Sequence, residues 1–294
     1  MHQFFSHEKL LITGASGFLG WHVCQITQTH WQVHGTYHSH PVAIPGVAMH
    51  GIDLTDDPAL RTFLQELNPD AILHTAALSQ PNACQDQPEL SYCLNVQATW
   101  AIADHCAAAQ IPYVFTSSEQ VFDGNHSPYR ETDRPTPLNL YGEHKLAAEM
   151  GVLDRYPAAA VCRMPLMYGV SPTAPSFIQP FIQRLRSGEL LQAFTDEIRT
   201  PVSGFDAAKG LLIALEKVQG IIHLGGQERL SRYEMAQTLI EVLQIENAQI
   251  QPCLQAEVQM SAARPRDLSM DSAIAYSLGF HPQHFREVLT RLKI

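Results

Sequence analysis

The chain has 294 residues, 45% of them hydrophobic, with a formal net charge of −10 at pH 7. That length fits one large α/β domain or two small ones and allows a sizeable core. The acidic balance argues against nucleic-acid partners, which need a basic surface, and no run of about 18 apolar residues appears, so no membrane span is expected.

The N-terminus, M-H-Q-F-F-S-H-E-K, lacks the apolar middle of a signal peptide and runs almost directly into a strand. Lys9–Thr13 reads as a short apolar strand, followed by a glycine turn and a helix from about Phe18 to Gln28. Gln32–Thr36 is a second, β-branched strand. Thr55, Asp56 or Asp57 can cap the next helix, with Pro58 in its first turn. Leu60, Phe63, Leu64 and Leu67 then recur at helical spacing until Asn68-Pro69-Asp70 stops the run. Ala71–Ala76 is a third strand. A long helix is predicted from Glu89 to about Ala109, a fourth strand over Pro112–Ser117, a helix over Asn139–Arg155 and a fifth strand over Ala158–Arg163. Beyond Met164, five prolines (Pro165, Pro172, Pro175, Pro180, Pro201) punctuate short segments, and helices near Asp206–Lys217 and Ser231–Leu243 flank a strand at Ile221–Leu224.

Strands alternating with helices of this length predict a parallel sheet covered on both faces. The expected architecture is α/β, a Rossmann-type doubly wound parallel sheet with a smaller C-terminal substrate-binding lobe. Residues 1–163 form the dinucleotide-binding part, joined by 200–225 returning to the sheet; 164–199 and 226–294 form the lobe. Ligands in such sheets bind at the carboxyl ends of the strands. Gly14, Ala76-Ala77, Ser117-Ser118 and Arg163 each fall at such an end.

Gly14, Gly17 and Gly20, with Ser16, Phe18 and Leu19 between them, form G-x-x-G-x-x-G between a strand and a helix. Glycine lets the backbone approach a pyrophosphate, and the helix N-terminus offers free N–H groups. After the second strand, Thr36-Tyr37-His38-Ser39-His40 offers no carboxylate to repel a 2′-phosphate, while His38 or Ser39 can donate to one. There is no arginine. NADP(H) is therefore favoured over NAD(H). Asp53-Leu54 either contacts adenine or begins a turn. Ala76 and Ala77 are small where a dinucleotide must pass close to the backbone.

Tyr141 and Lys145 sit four residues apart, on one helical face. A neighbouring cation favours the phenolate and lowers the tyrosine pKa, which makes Tyr141 a candidate proton donor or acceptor. The hydroxyl of Ser118, just past the fourth strand, can polarise a substrate carbonyl. Asn95 falls within the predicted long helix, where an asparagine usually faces solvent or bonds its own backbone. Arg199 and Arg264 or Arg266 carry guanidinium forks that match a substrate diphosphate. The six scattered cysteines (Cys24, Cys84, Cys93, Cys106, Cys162, Cys253) have no C-x-x-C pair and read as reduced thiols of a cytoplasmic protein. Neither H-S-H at 38–40 nor H-P-Q-H at 281–284 has a third ligand at zinc spacing, so no metal is expected.

Together these residues resemble the extended short-chain dehydrogenase/reductase family, in its nucleotide-sugar branch. The resemblance rests on G-A-S-G-F-L-G, D-L, H-T-A-A, L-N-V, T-S-S-E-Q-V-F-D-G, P-L-N-L-Y-G-E-H-K-L-A-A-E and C-R-M-P-L-M-Y-G, and continues through I-R-T-P-V-S, I-I-H-L-G-G and R-P-R-D-L-S-M-D. The most similar subgroup is the dTDP-4-dehydrorhamnose reductases. The resemblance implies that Ser118 polarises the carbonyl, Tyr141 is the general acid, and Lys145 holds ribose hydroxyls and tunes the tyrosine. It places Glu119 beside the substrate and implies NADPH-dependent reduction of the 4-keto group of a nucleotide-linked deoxysugar. A homodimer is a further family expectation. Two departures bear on substrate: Gln120 stands where the rhamnose-type enzymes carry tyrosine, and Phe18 where many carry glutamine. The related 4,6-dehydratases carry Asp-Glu where this chain has Glu119-Gln120, and an amide cannot abstract a proton. An epimerase remains compatible with the same Tyr, Lys and cofactor. So does a non-catalytic regulatory role like that of the methionine adenosyltransferase β-subunits, which share the motif set.

Overall fold

A computed structural model of the chain describes residues 8–292; the N-terminal segment 1–7 and residues 293–294 lie outside the described residues, and most of the N-terminal reading above falls there. The first half runs β1 (Lys9–Thr13), α1 (Phe18–Thr27), β2 (Gln32–Tyr37), β3 (Val47–Gly51), α2 (Asp57–Leu67), β4 (Ala71–His74), α3 (Pro81–Asp86), α4 (Pro88–Tyr92), a π-helical turn (Cys93–Gln97), α5 (Ala98–Ala109), β5 (Tyr113–Ser118), α6 (Leu140–Arg155) and β6 (Ala160–Met164). The strand Gly220–His223 pairs with β6 and completes a seven-stranded sheet. Its order is Gly220–His223, β6, β5, β4, β1, β2, β3, with every neighbouring pair parallel.

Strand alternation divides the core between the two faces. Leu10 and Ile12 of β1 pack with Leu19 and Val23 of α1 and with Ala207 and Leu211 of the helix Gly204–Lys217. Leu11 between them faces the opposite way, onto Leu60, Leu64, Ile102 and Val152. Successive side chains of a strand point to opposite faces, and a strand buried on both sides must be apolar throughout. Each such Leu or Ile, fully buried, contributes about 1.5–3 kcal/mol.

Local signals set the ends of the helices. The Asp56 carboxylate accepts from Ala59 N at 3.0 Å to cap α2, and Asn68 ends the helix in the left-handed region at φ 47°. Ser231 and Glu234 form a capping box at the start of the helix Arg232–Leu243.

One expectation fails in detail. The segment predicted as one helix from Glu89 to Ala109 is continuous but irregular, with the π turn Cys93–Gln97 in its middle. The turn carries Asn95 inward, against the expectation of solvent: Asn95 is fully buried. Its side chain accepts from Leu78 N at 3.0 Å and donates to Leu78 O at 3.1 Å and Ser91 Oγ at 3.2 Å. A buried amide that satisfies both its ends on one loop residue fixes that loop, and this is the loop that follows β4.

Past β6, three two-stranded pairs flank the sheet: Met167–Tyr168 with Val202–Ser203, Ile198–Arg199 with Leu230–Ser231, and Leu191–Phe194 with Ile250–Cys253. Among the described residues, no helix is long and apolar enough to cross a membrane and no group of His, Cys, Asp or Glu is arranged to hold a metal ion. All six cysteines are free thiols, five of them buried.

Candidate active site

A cleft of about 960 Å³ opens along the carboxyl ends of β1, β2, β4 and β5 and continues over the pieces beyond β6. Gly14 begins its floor at φ +66°, a conformation that favours glycine. A Cβ there would lie 2.7 Å from Ala76 Cα, and one on Gly20 would lie 2.2 Å from the Gly14 carbonyl oxygen. The turn is held by Gly17 N donating to Gly14 O at 2.9 Å and Gly14 N donating to Thr36 Oγ1 at 3.0 Å. No side chain caps α1, so its first N–H groups remain available to an anion. Gly14, Ser16, Gly17, Phe18, Leu19, Gly20, His38, Asp53, Leu54, Ala76 and Ala77 all line this side. A backbone stripped of Cβ atoms beside an uncapped helix fits a dinucleotide pyrophosphate.

Ser39 is not brought to the lining; its hydroxyl bonds the neighbouring His40 Nδ1 at 2.9 Å. A carboxylate nonetheless reaches His38. Although none follows β2, the fold brings Asp53 from beyond β3 to 3.7 Å from His38 Nε2. Asp53 Oδ1 accepts from Thr55 N at 2.9 Å and Thr55 Oγ1 at 2.7 Å, which hold its carboxyl below the usual range. The residue both shapes a turn and lines the cleft.

Ser118, Tyr141 and Lys145 converge on the same cleft. Ser118 ends β5 in extended conformation, and its Oγ accepts from Gln120 N at 3.2 Å. Asn139 caps α6, its Oδ1 accepting from Gly142 N at 2.9 Å, and its amide donates to Gln120 Oε1 at 3.1 Å and Ala263 O at 2.9 Å. A Cβ on Gly142 would lie 2.1 Å from the Gln120 carbonyl oxygen. Glycine next to Tyr141 is therefore what lets the first turn of α6 press against the Ser118–Gln120 loop.

The electrostatics differ from the sequence-based expectation. Burial pushes the Tyr141 phenol well above its ordinary range, and the hydrogen bond with Ser118 only partly opposes it. The Lys145 ammonium donates to Thr116 O at 2.9 Å and stands 4.7 Å from the Phe115 ring centroid. Its own pKa falls to about 8, because burial outweighs the pull of Cys84 and Glu149. In this arrangement desolvation dominates the phenol and keeps it protonated.

Two predicted ligand contacts are overturned. Arg163 is only 1% exposed and lies outside the cleft lining. Its guanidinium pairs with Glu149 at 2.8 Å and lies over the Phe122 ring, while Glu149 also accepts from Ser117 Oγ at 2.5 Å. A buried cation requires a paired carboxylate, and this pair ties α6, one turn beyond Lys145, to β5 and β6. Arg199 is likewise 1% exposed. Its Nε forms an ion pair with Glu119 Oε1 at 3.0 Å, and its terminal nitrogens donate to the carbonyls of Ile198, Pro265 and Arg266. Its donors are already occupied by the protein.

Arg264 and Glu119 do line the cleft. Arg264 Nη2 donates to Asn82 Oδ1 at 3.0 Å, and its Nη1 is buried without a partner in the protein. Burial pushes the Glu119 carboxyl up to about 8 against the attraction of Arg199 and Arg232. Sequence reasoning missed Arg232, which also lines the cleft with an unpartnered buried Nη1, over the Phe177 ring at 4.5 Å. One signal was present: Arg232 follows the Ser231 cap, and a cation in a helix's first turn opposes the helix dipole.

A family model for the RmlD substrate binding domain matches residues 8–293. The methionine adenosyltransferase 2 subunit beta of Pongo abelii is 31% identical over 282 residues, covering 93% of this chain and 83% of its own length. Among solved structures, a hypothetical dTDP-4-dehydrorhamnose reductase from Sulfolobus tokodaii superposes with a TM-score of 0.84 at 29% identity, covering 94% of this chain and 98% of its own. The dTDP-4-dehydrorhamnose reductase of Bacillus anthracis, solved in complex with NADP, shares the fold at a TM-score of 0.86 and 22% identity, covering 97% of this chain and 98% of its own. The chain belongs to the RmlD substrate binding domain family, within the extended short-chain dehydrogenase/reductase class of NAD(P)-dependent oxidoreductases.

Proposed function

We propose that the protein reduces the keto group of a nucleotide-linked deoxysugar, in the manner of a 4-keto-sugar reductase, with NADP(H) preferred over NAD(H). The observation that carries this reading is the meeting of two groups in one cleft. Ser118, Tyr141 and Lys145 line it beside the glycine turn, and two guanidiniums with unpartnered buried nitrogens, Arg232 and Arg264, line it too. Residues 164–199 and 226–294 make up the substrate-side part.

A nicotinamide dinucleotide would supply the hydride; Gly14, Gly17, Gly20 and the α1 N-terminus would hold its pyrophosphate, and His38, which lines the cleft, could donate to a 2′-phosphate. Ser118 and Tyr141 direct hydroxyls at the substrate carbonyl oxygen, where the growing negative charge is stabilised. Tyr141 then delivers its proton to that oxygen. A phenol raised by burial is present almost wholly in its acid form near neutral pH, which suits it to donation rather than abstraction. Lys145 holds positive charge behind the site and lowers the cost of the phenolate left behind. Arg232 and Arg264 receive the diphosphate, and Phe177 and Phe181 supply apolar surface beside them.

The relatives favour one further reading. A regulatory subunit like the methionine adenosyltransferase β-subunits would use the same cofactor cleft without turnover. Following NADPH absorbance with a panel of nucleotide 4-keto sugars separates the two. Oxidation that vanishes in Tyr141→Phe supports reduction. No oxidation with any sugar, together with tight association with a methionine adenosyltransferase catalytic chain, overturns it. Inversion at a sugar carbon without net cofactor consumption would assign an epimerase.

A further inference from the structure

Five charged side chains act on one another in the wall of the cleft, four of them lining it. Arg199 Nε lies 3.0 Å from Glu119 Oε1 as an ion pair, and Arg199 Nη2 lies 3.6 Å from Glu197 Oε1. Glu197 Oε1 in turn accepts from Arg232 Nε at 2.8 Å. Arg264 feels Glu197, Arg199 and Arg232 together. The path Glu119–Arg199–Glu197–Arg232 therefore runs unbroken from beside Ser118 to the outer arginines. Glu119, Glu197 and Arg199 are all buried. Three of its polar atoms have no partner in the protein, namely Glu119 Oε2, Arg232 Nη1 and Arg264 Nη1.

The charges of this set do not balance. Three guanidiniums against two carboxylates leave one positive charge, and neutralising one carboxyl leaves two. A sugar-nucleotide diphosphate carries two negative charges.

Building on the nucleotide-sugar reading above, we infer that seating a diphosphate against Arg232 and Arg264 and taking up a proton at Glu119 are one linked event. The substrate then meets a neutral carboxyl, whose Oε2–H is available to a sugar oxygen beside Ser118 and Tyr141.

The physical cause is competition for the guanidiniums. A bound dianion adds negative potential to a site with little water to screen it, which favours the protonated form of any nearby carboxyl. Glu119 yields first because of its partners. Burial raises Glu197 too, but Arg232 and Arg199 outweigh burial and hold it below its ordinary value. At Glu119 burial prevails over Arg199 and Arg232, and Glu197 adds repulsion, while Leu166 contributes one backbone hydrogen bond. On the reaction-centre side Glu119 faces the Tyr141 phenol, which stays neutral. The proton comes from solvent, and no bond of the substrate is made or broken.

The test is titration calorimetry on the protein saturated with NADP(H), using dTDP-glucose and UDP-glucose in buffers of differing ionisation heat. Neither ligand has a keto group to reduce, and their diphosphate diesters do not titrate between about pH 6 and 9. Expected is uptake of a sizeable fraction of one proton near about pH 8, fading towards zero near about pH 6, where Glu119 already carries its proton. Glu119→Gln should bind the sugar nucleotide without uptake. In the unmodified protein the same linkage weakens affinity by up to about tenfold per pH unit above about pH 8, and Glu119→Gln should flatten that slope, whereas loss of charge at Lys145, also held to about 8, would leave it in place. Binding without uptake, uptake unchanged in Glu119→Gln, or an affinity flat across that range overturns the linkage alone. Failure of both nucleotides to bind, with NADPH still bound, overturns the nucleotide-sugar reading and the linkage with it.

Discussion

The two halves of the cleft are built by different means. The cofactor side is a matter of backbone: glycines at Gly14 and Gly20 remove Cβ atoms where chain segments touch, and strand ends supply the rest. The far side is a matter of charge, where Glu119, Glu197, Arg199, Arg232 and Arg264 arrive from separate segments and restrain one another. The first half is specified locally and should tolerate distant change. The second exists only when remote residues assemble, so single substitutions there should spread.

The largest effect should come from the reaction centre. Tyr141→Phe removes the proton donor and should lower turnover by about 10²–10⁴-fold, with cofactor affinity nearly unchanged, as read by stopped-flow absorbance and fluorescence titration. If instead Tyr141→Phe loses only cofactor binding, the division of labour between the two halves fails.

Arg163→Met should cost about 3–5 kcal/mol of stability, since it strands the Glu149 carboxylate between α6 and the sheet. Urea unfolding measures it. The double variant Arg163→Met with Glu149→Leu should recover part of the loss, because two apolar groups replace a pair rather than break it. A lack of recovery would mean that the pair does more than satisfy itself.

Arg232→Gln should raise KM for a nucleotide sugar by about tenfold or more with a smaller change in kcat, the signature of lost ground-state binding. Arg199→Gln should act differently, through stability, because its guanidinium touches only protein. Equal effects at the two positions would erase the distinction between cleft-lining and walled-in arginines.

The smallest effect concerns pH. The Lys145 ammonium is held down to about 8 by burial, so its charge is complete below that value and lost as pH rises through it. With substrate saturating, so that binding at Glu119 drops out, kcat for reduction should therefore fall above about pH 8, by up to about tenfold per unit. A profile rising through that range would point to abstraction by a phenolate instead.

Much of the fold was legible along the chain. The apolar run of β1, the Asp56 and Asn68 ends of α2, and the glycine turn are local rules acting within a few residues. The four-residue spacing of Tyr141 and Lys145 needed only a helix to become a shared face. The errors share a cause as well. Asn95 was read by the habits of a regular helix, and one π turn rotated it inward onto Leu78. Arg163 sits at a strand end, where ligands are expected, yet Glu149 meets it across the sheet. Arg199 carried the right chemistry in the wrong company, since Glu119 and three carbonyls reached it first.

Sequence alone therefore determined the alternation of elements, the glycine positions and the shared helical face of Tyr141 and Lys145, because backbone sterics and helical periodicity act over one or two turns. Tertiary structure alone decided which arginines line the cleft, which carboxyl burial forces towards neutrality, and that Asp53 stands beside His38. Those outcomes depend on burial and on charges brought together from far along the chain, and neither is a property of a residue or of its neighbours in sequence.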